Sequence, residues 1–109
     1  MNEVRAVPKN PYKRRKPTRK QRNNFSREVR KQIYERDNGL CQECGGRGTE
    51  IHHVTFRSQG GRGVVNNGLL LCTDCHRKIH KVRKFARKWQ EVFEKRYGQD
   101  YYKDEWDLE

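Results

Sequence analysis

All four cysteines fall in two Cys-x-x-Cys pairs, Cys41-Gln42-Glu43-Cys44 and Cys72-Thr73-Asp74-Cys75. Each such pair forms a tight knuckle with both sulfurs turned inward, so two pairs bring four thiolates tetrahedrally onto one zinc ion. Gly45-Gly46 directly after the first pair suits the turn that a knuckle requires. Two disulfides would fit a chain with an export signal, and none is seen. A redox pair would fit a βαβ setting, and none surrounds the second knuckle. Structural zinc is therefore the expectation, and the 27 residues between the pairs imply that something has been built into the gap.

All four histidines lie beside or between the knuckles, at His52, His53, His76 and His80. His52 and His53 are neighbours on an expected strand and point to opposite faces, so they take different roles. His76 and His80 are four apart on an expected helix and share one face, a spacing that lets two imidazoles meet one metal. An ion held by only two or three protein groups keeps positions open for water and phosphate, which is the arrangement of a catalytic site.

The elements that would position these groups are short. Glu50 to Val54 and Leu69 to Leu71 read as strands, separated by the glycine-rich loop Ser58-Gln59-Gly60-Gly61-Arg62-Gly63. Upstream, Ser26 reads as an N-cap, Val29 and Ile33 are four apart and Asn38-Gly39 supplies a stop, which predicts a helix over residues 27–37. Downstream, Ile79, Val82, Ala86, Trp89 and Phe93 step by three and four up to Gly98. That period predicts one amphipathic helix over residues 74–97, capped by Thr73.

Glu50-Ile51-His52-His53 followed by Asn67-Gly68-Leu69-Leu70-Leu71-Cys72-Thr73-Asp74-Cys75-His76-Arg77-Lys78-Ile79-His80 resembles the motif of the HNH endonucleases, in their branch with two cysteine pairs. The resemblance covers roughly residues 25–85. It implies a small α+β fold with a ββα-metal, treble-clef-like core, stapled by zinc on Cys41, Cys44, Cys72 and Cys75. By motif position His52 and His76 would be metal ligands, His53 the general base, and Asn67 the residue that pins the loop and orients that base. His80 would be a further ligand or a phosphate contact, and Glu50 sits where some members place an acid beside the first ligand. Local readings stand beside these: Asn67 as a hairpin turn residue, Glu50 in a salt bridge with an arginine, His80 as a surface cation. Asn66 replaces the acid that many relatives carry before the motif asparagine. The implied activity is metal-dependent hydrolysis of DNA phosphodiesters, by nicking or double-strand cutting with low to modest sequence specificity, leaving 5′-phosphate and 3′-hydroxyl ends. The catalytic ion would be Mg²⁺, Mn²⁺, Ni²⁺ or Zn²⁺. A zinc-knuckle DNA-binding module without catalysis is the alternative.

Composition supports a nucleic-acid partner and excludes a large apolar core. The 109 residues hold 26 Lys+Arg against 14 Asp+Glu, a net charge of +12, and Leu, Ile, Val and Phe number only 20. Such a chain is poor in groups to bury, which makes a metal staple necessary. The longest apolar run, Leu69-Leu70-Leu71-Cys72, is far short of the ~20 residues of a membrane span. The charge is uneven: residues 1–24 carry +8, residues 25–98 another +8 and residues 99–109 minus four. The first segment, with Arg14 and Arg15, is expected to be a disordered basic arm; residues 25–98 are expected to form the nuclease domain that the resemblance implies, with Lys78, Lys81, Lys84 and Lys88 among its phosphate contacts. The acidic, aromatic tip 99–109 either folds back on the basic helix or docks a protein partner in a DNA-processing or phage-packaging complex. A cytoplasmic setting, in a bacterium or a phage-infected host cell, is the expectation.

Overall fold

The computed structural model describes residues 15–109. Its elements are α1 (Arg19–Asn23), α2 (Arg27–Arg36), β1 (Glu50–His53), β2 (Gly68–Leu71), α3 (Thr73–Lys81) and α4 (Arg83–Tyr97), with 3₁₀ turns at Arg57–Gln59 and Val65–Asn67. β1 and β2 pair antiparallel in the register Glu50↔Leu71, Ile51↔Leu70, His52↔Leu69 and His53↔Gly68. The expected small α+β fold, two strands followed by a helix, is what forms.

Each element has a local cause. Ser26 Oγ accepts from the Val29 amide and starts α2, which Asn38 closes with a φ of 57°. α3 begins on a sulfur: the Cys72 side chain accepts from the Cys75 amide, so knuckle and helix start are one structure. β2 is buried along its whole length. The core gathers Val54, Leu69 and Leu71 from the sheet region, Ile79 from α3, Ala86, Trp89 and Phe93 from α4, and Tyr101 beyond it. On the other side of β2, α2 lays down Ile33 and is latched by Arg36, which donates to the carbonyls of Val65 (3.0 Å) and Gly68 (2.6 Å).

Three expectations are corrected. The helix predicted over residues 74–97 is two helices, parted at Val82 with φ −115° and ψ 102°. The 3.6-residue period persists through the break because period reports which residues are buried and is silent on a one-residue change of direction. The cap is Cys72 and not Thr73, whose hydroxyl instead donates to Glu50 at 2.8 Å.

Second, the arm expected to be disordered through residue 24 carries α1, started by a capping box between Thr18 and Gln21. Polar contacts with distant residues hold this segment, and apolar composition does not register them. Residues 1–14 of the arm, Arg14 included, lie outside the described residues. Third, the acidic tip folds back chiefly onto α1 and the loop before β2. Asp104 pairs with Arg22 at 2.8 Å, and Asp107 pairs with Arg22 at 2.7 Å and Arg62 at 2.9 Å. Tyr101 is buried beside Phe93 of α4, with its hydroxyl 2.6 Å from that of Thr55. Among the described residues no helix is long and apolar enough to cross a membrane.

Candidate active site

The four cysteines, distant in sequence, form one cluster. Their sulfurs all lie within 4.8 Å of one another, and none is in a disulfide. Backbone amides point at them: Cys44 to Cys41 Sγ (3.5 Å), Gly46 to Cys44 Sγ (3.4 Å) and Cys75 to Cys72 Sγ (3.4 Å). Burial raises the Cys41 thiol, but hydrogen bonds from the backbone of Cys44, Cys72 and Glu43 outweigh it and bring it down to about 7. Burial and the three neighbouring sulfurs push Cys75 up. Four converging sulfurs outside any disulfide, three of them accepting from backbone amides, are a donor set that fits a metal. Glu43 ties the first knuckle to α4 by accepting from Lys88 (2.8 Å) and from the Trp89 indole (2.7 Å).

The second cluster is His52, His76 and His80, again with one ligating atom from each within 4.8 Å of the others. Strand geometry puts Glu50 and His52, two apart, on the same face of β1, and helix geometry stacks His76 over His80 on α3. His52 is 1% exposed, and both its ring nitrogens are buried without a hydrogen-bond partner. Burial first, then the nearby His76 and His80, lowers its pKa to about 3, so the ring is neutral with a lone pair to offer. His76 Nδ1 donates to Glu50 Oε1 at 2.7 Å, which leaves Nε2 unprotonated to accept from His80 Nε2 at 3.2 Å. Burial and His76 likewise lower His80. The two orphaned nitrogens of buried His52 are costly unless a cation lies beside them, and His76 and His80 each bring a ring nitrogen to the same place, so these residues also fit a metal.

Glu50 stands outside this cluster. One carboxylate oxygen holds His76 and the other accepts from Thr73 at 2.8 Å, and the His76 hydrogen bond, then that of Thr73, lowers its pKa. The acid therefore orients His76 from behind, and among the described residues no arginine forms the expected salt bridge with it.

His53 faces the other way, stacked on Phe25 with ring centroids 4.2 Å apart. Its Nε2–H donates to the backbone carbonyl of Asn23 at 2.6 Å, so the neutral ring keeps its lone pair on Nδ1. Burial is the main cause that lowers its pKa. Asn67 is fully buried and does pin the loop: Oδ1 accepts from the Thr55 amide (2.8 Å), and Nδ2 donates to the carbonyls of Thr55 (3.1 Å) and Arg62 (3.0 Å). It is also the last residue of the 3₁₀ turn before β2, so its turn and pinning roles coexist.

His52, His53, His76 and His80 line one cavity of about 420 Å³ with Ile51, Phe56, Arg57 and Ser58. An open hollow of about 440 Å³, lined by Arg19, Lys20, Asn23, Arg57 and Ser58, adjoins it through the last two. On the other side Phe56 is shared with a hollow of about 450 Å³ that includes Arg83 and Arg87. Of the cations singled out in the sequence, Arg15, Lys81 and Lys84 are exposed, Lys78 lies over the Phe85 ring at 4.9 Å and Lys88 is engaged by Glu43. Arg57 and the Asn23 carbonyl are not expected from the sequence, and Arg19 and Lys20 are expected only as part of the basic arm. Only the Thr18-x-x-Gln21 capping signature hinted that this part of the arm is structured.

Residues 41–82 match the family model described as HNH endonuclease. A curated relative, the Type IV methyl-directed restriction enzyme EcoKMcrA of Escherichia coli (strain K12), is 29% identical over 79 residues, which cover 63% of this chain. The match spans 27% of that relative's length. The matched residues hold all four cysteines, His52, His53, Asn67, His76 and His80, so the likeness to the HNH endonucleases falls on the residues of both clusters.

Proposed function

We propose that the protein is a metal-dependent DNA endonuclease. The observation that carries this reading is His52, buried with both ring nitrogens unpartnered beside His76 and His80. In a binding module without an ion that burial would be an uncompensated cost. His52, His76 and His80 would hold the divalent ion through imidazole nitrogens, a donor set suited to Ni²⁺ or Zn²⁺ and compatible with Mn²⁺ or Mg²⁺ at an open site. When bound, the ion supplies positive charge at the scissile phosphate. Zinc is the proposed occupant of the four-cysteine cluster.

His53 is the proposed general base. Its ring is kept neutral by burial, its proton sits on Nε2 against Asn23, and Nδ1 takes a proton from water as that water attacks phosphorus in line; the P–O3′ bond breaks and the departing 3′-oxygen takes a proton from solvent. Asn67 acts by holding the loop from Thr55 to Arg62 that walls the cavity. Arg19, Lys20 and Arg57 on one side, and Arg83 and Arg87 on the other, would carry the phosphate backbone across the histidines.

The test is a supercoiled plasmid, methylated and unmethylated, with Mg²⁺, Mn²⁺, Ni²⁺ or Zn²⁺, with and without EDTA, beside His53→Ala. Cleavage that needs metal and is abolished in the variant is expected. Persistent supercoil under every metal, or cutting by His53→Ala at the wild-type rate, sinks the assignment.

A further inference from the structure

We propose that the acidic C-terminal segment is a positioning element for His53: Asp104 and Asp107, acting through Arg22 and Arg62, hold Asn23 where its carbonyl fixes the imidazole. The inference rests on His53 being the base, and it assigns a role to Arg22, Asn23, Asp104 and Asp107, all outside residues 41–82.

The Asn23 carbonyl that receives the His53 proton ends a helix of five residues. A helix this short has no stability of its own, so contacts from elsewhere set the place of that carbonyl. Those contacts are specific. The Asn23 side chain is buried, and its Oδ1 accepts from Arg62 Nη1 at 2.8 Å. The Arg22 carbonyl accepts from the Gly63 amide at 2.8 Å. Arg22 and Arg62 are thus two cations drawn together around Asn23, an arrangement that repels itself unless an anion lies between them.

Asp107 is that anion. Its carboxylate accepts from Arg22 Nη2 (2.7 Å) and from Arg62 Nε and Nη2 (2.9 and 3.0 Å). Asp104 adds a two-point bond to Arg22, 2.8 Å to each oxygen. The two aspartates also brace each other, Asp107 N donating to Asp104 Oδ1 (3.0 Å) and Asp104 N to Asp107 Oδ2 (3.2 Å). Buried Tyr101 anchors the segment just before them, and the Tyr102 carbonyl accepts from Arg62 N at 3.0 Å. The acids therefore act on the site without touching it, through the cations that seat the His53 acceptor.

The experiment uses the full-length, zinc-loaded protein and reads the side-chain nitrogens of His53 by ¹⁵N NMR, its signals assigned by their loss in His53→Gln. Wild type is expected to show the Nε2–H tautomer alone. Asp107→Asn should show mixed tautomers and a kcat for plasmid cleavage lowered about tenfold, with KM not raised, because a base displaced by a fraction of an ångström loses rate before binding. Asp107→Glu should recover part of both. Arg62→Lys keeps the charge but cannot reach Asn23 and Asp107 together, and it should repeat the effect should Asp107→Asn fail to fold. A pure Nε2–H signal in the folded variants overturns the proposal, as does a lowered Tm with tautomer and kcat unchanged. If the wild type cuts no DNA, the endonuclease reading fails and the tautomer alone decides this one.

Discussion

Glu50 Oε1 accepts from His76 Nδ1 at 2.7 Å, so this carboxylate holds the back of the ring while Nε2 turns to His80. Glu50→Ala should leave the fold intact and weaken divalent-ion binding by about 10–100-fold, the usual cost of losing a partner that orients a metal-bound histidine. Titration calorimetry with Ni²⁺ or Mn²⁺ measures it. Unchanged affinity would remove the orienting role.

The cysteine cluster is expected to be structural. Cys72 contributes a sulfur and also caps α3 through the Cys75 amide, so Cys72→Ser should abolish the cooperative thermal transition. Structural zinc sites are worth roughly 10–16 kcal/mol in small zinc-finger peptides, more than a domain of this size has to spare. Metal content and a melting curve check this, and an unchanged curve rules out the staple.

The cations nearest the histidines should carry the salt dependence of DNA binding. Replacing Arg19, Lys20 or Arg57 by alanine should lower the slope of log K against log salt by about 0.9 per residue. Lys88→Ala should leave that slope nearly unchanged, because Glu43 already engages Lys88. Fluorescence anisotropy from 50 to 200 mM salt, on the order of a 10³–10⁵-fold range for six to ten contacts, separates the two sets. Equal slopes for all four variants would refute the placement of the backbone.

The acidic tip predicts a pH dependence of stability. The hydrogen bond from Arg22 to Asp104, and that from Arg62 to Asp107, are the leading causes that hold both carboxyls below the ordinary 3.8. A depressed folded-state pKa contributes stability above the unfolded value and loses it as the pH falls through the folded one. The Tm gap between wild type and the Asp104→Asn/Asp107→Asn variant should thus be full at neutral pH and close progressively below about pH 4. Discounted for solvent screening, the gap is about 1 kcal/mol, or ~4–8 °C for a domain near this size. Scanning calorimetry at pH 3, 5 and 7 reads it, and a gap that widens on acidification contradicts the ion pairs.

The sequence by itself determined the donors and their local spacing. Two Cys-x-x-Cys pairs, His76 and His80 four apart, and Glu50 and His52 two apart already specify knuckles, a helix face and a strand face, because those periods belong to single elements. It determined the Ser26 cap of α2 and the two short strands for the same reason. Only the tertiary structure decided that Glu50 stands behind His76, that Lys88 belongs to Glu43, that the long helix parts at Val82, and that the acidic tip seats Arg22 and Arg62. Those outcomes rest on contacts between residues far apart in the chain, 30 positions for His53 and Asn23 and 82 for Arg22 and Asp104. No short-range pattern encodes such pairs; they exist once the sheet and the cysteine cluster have drawn the ends of the chain together.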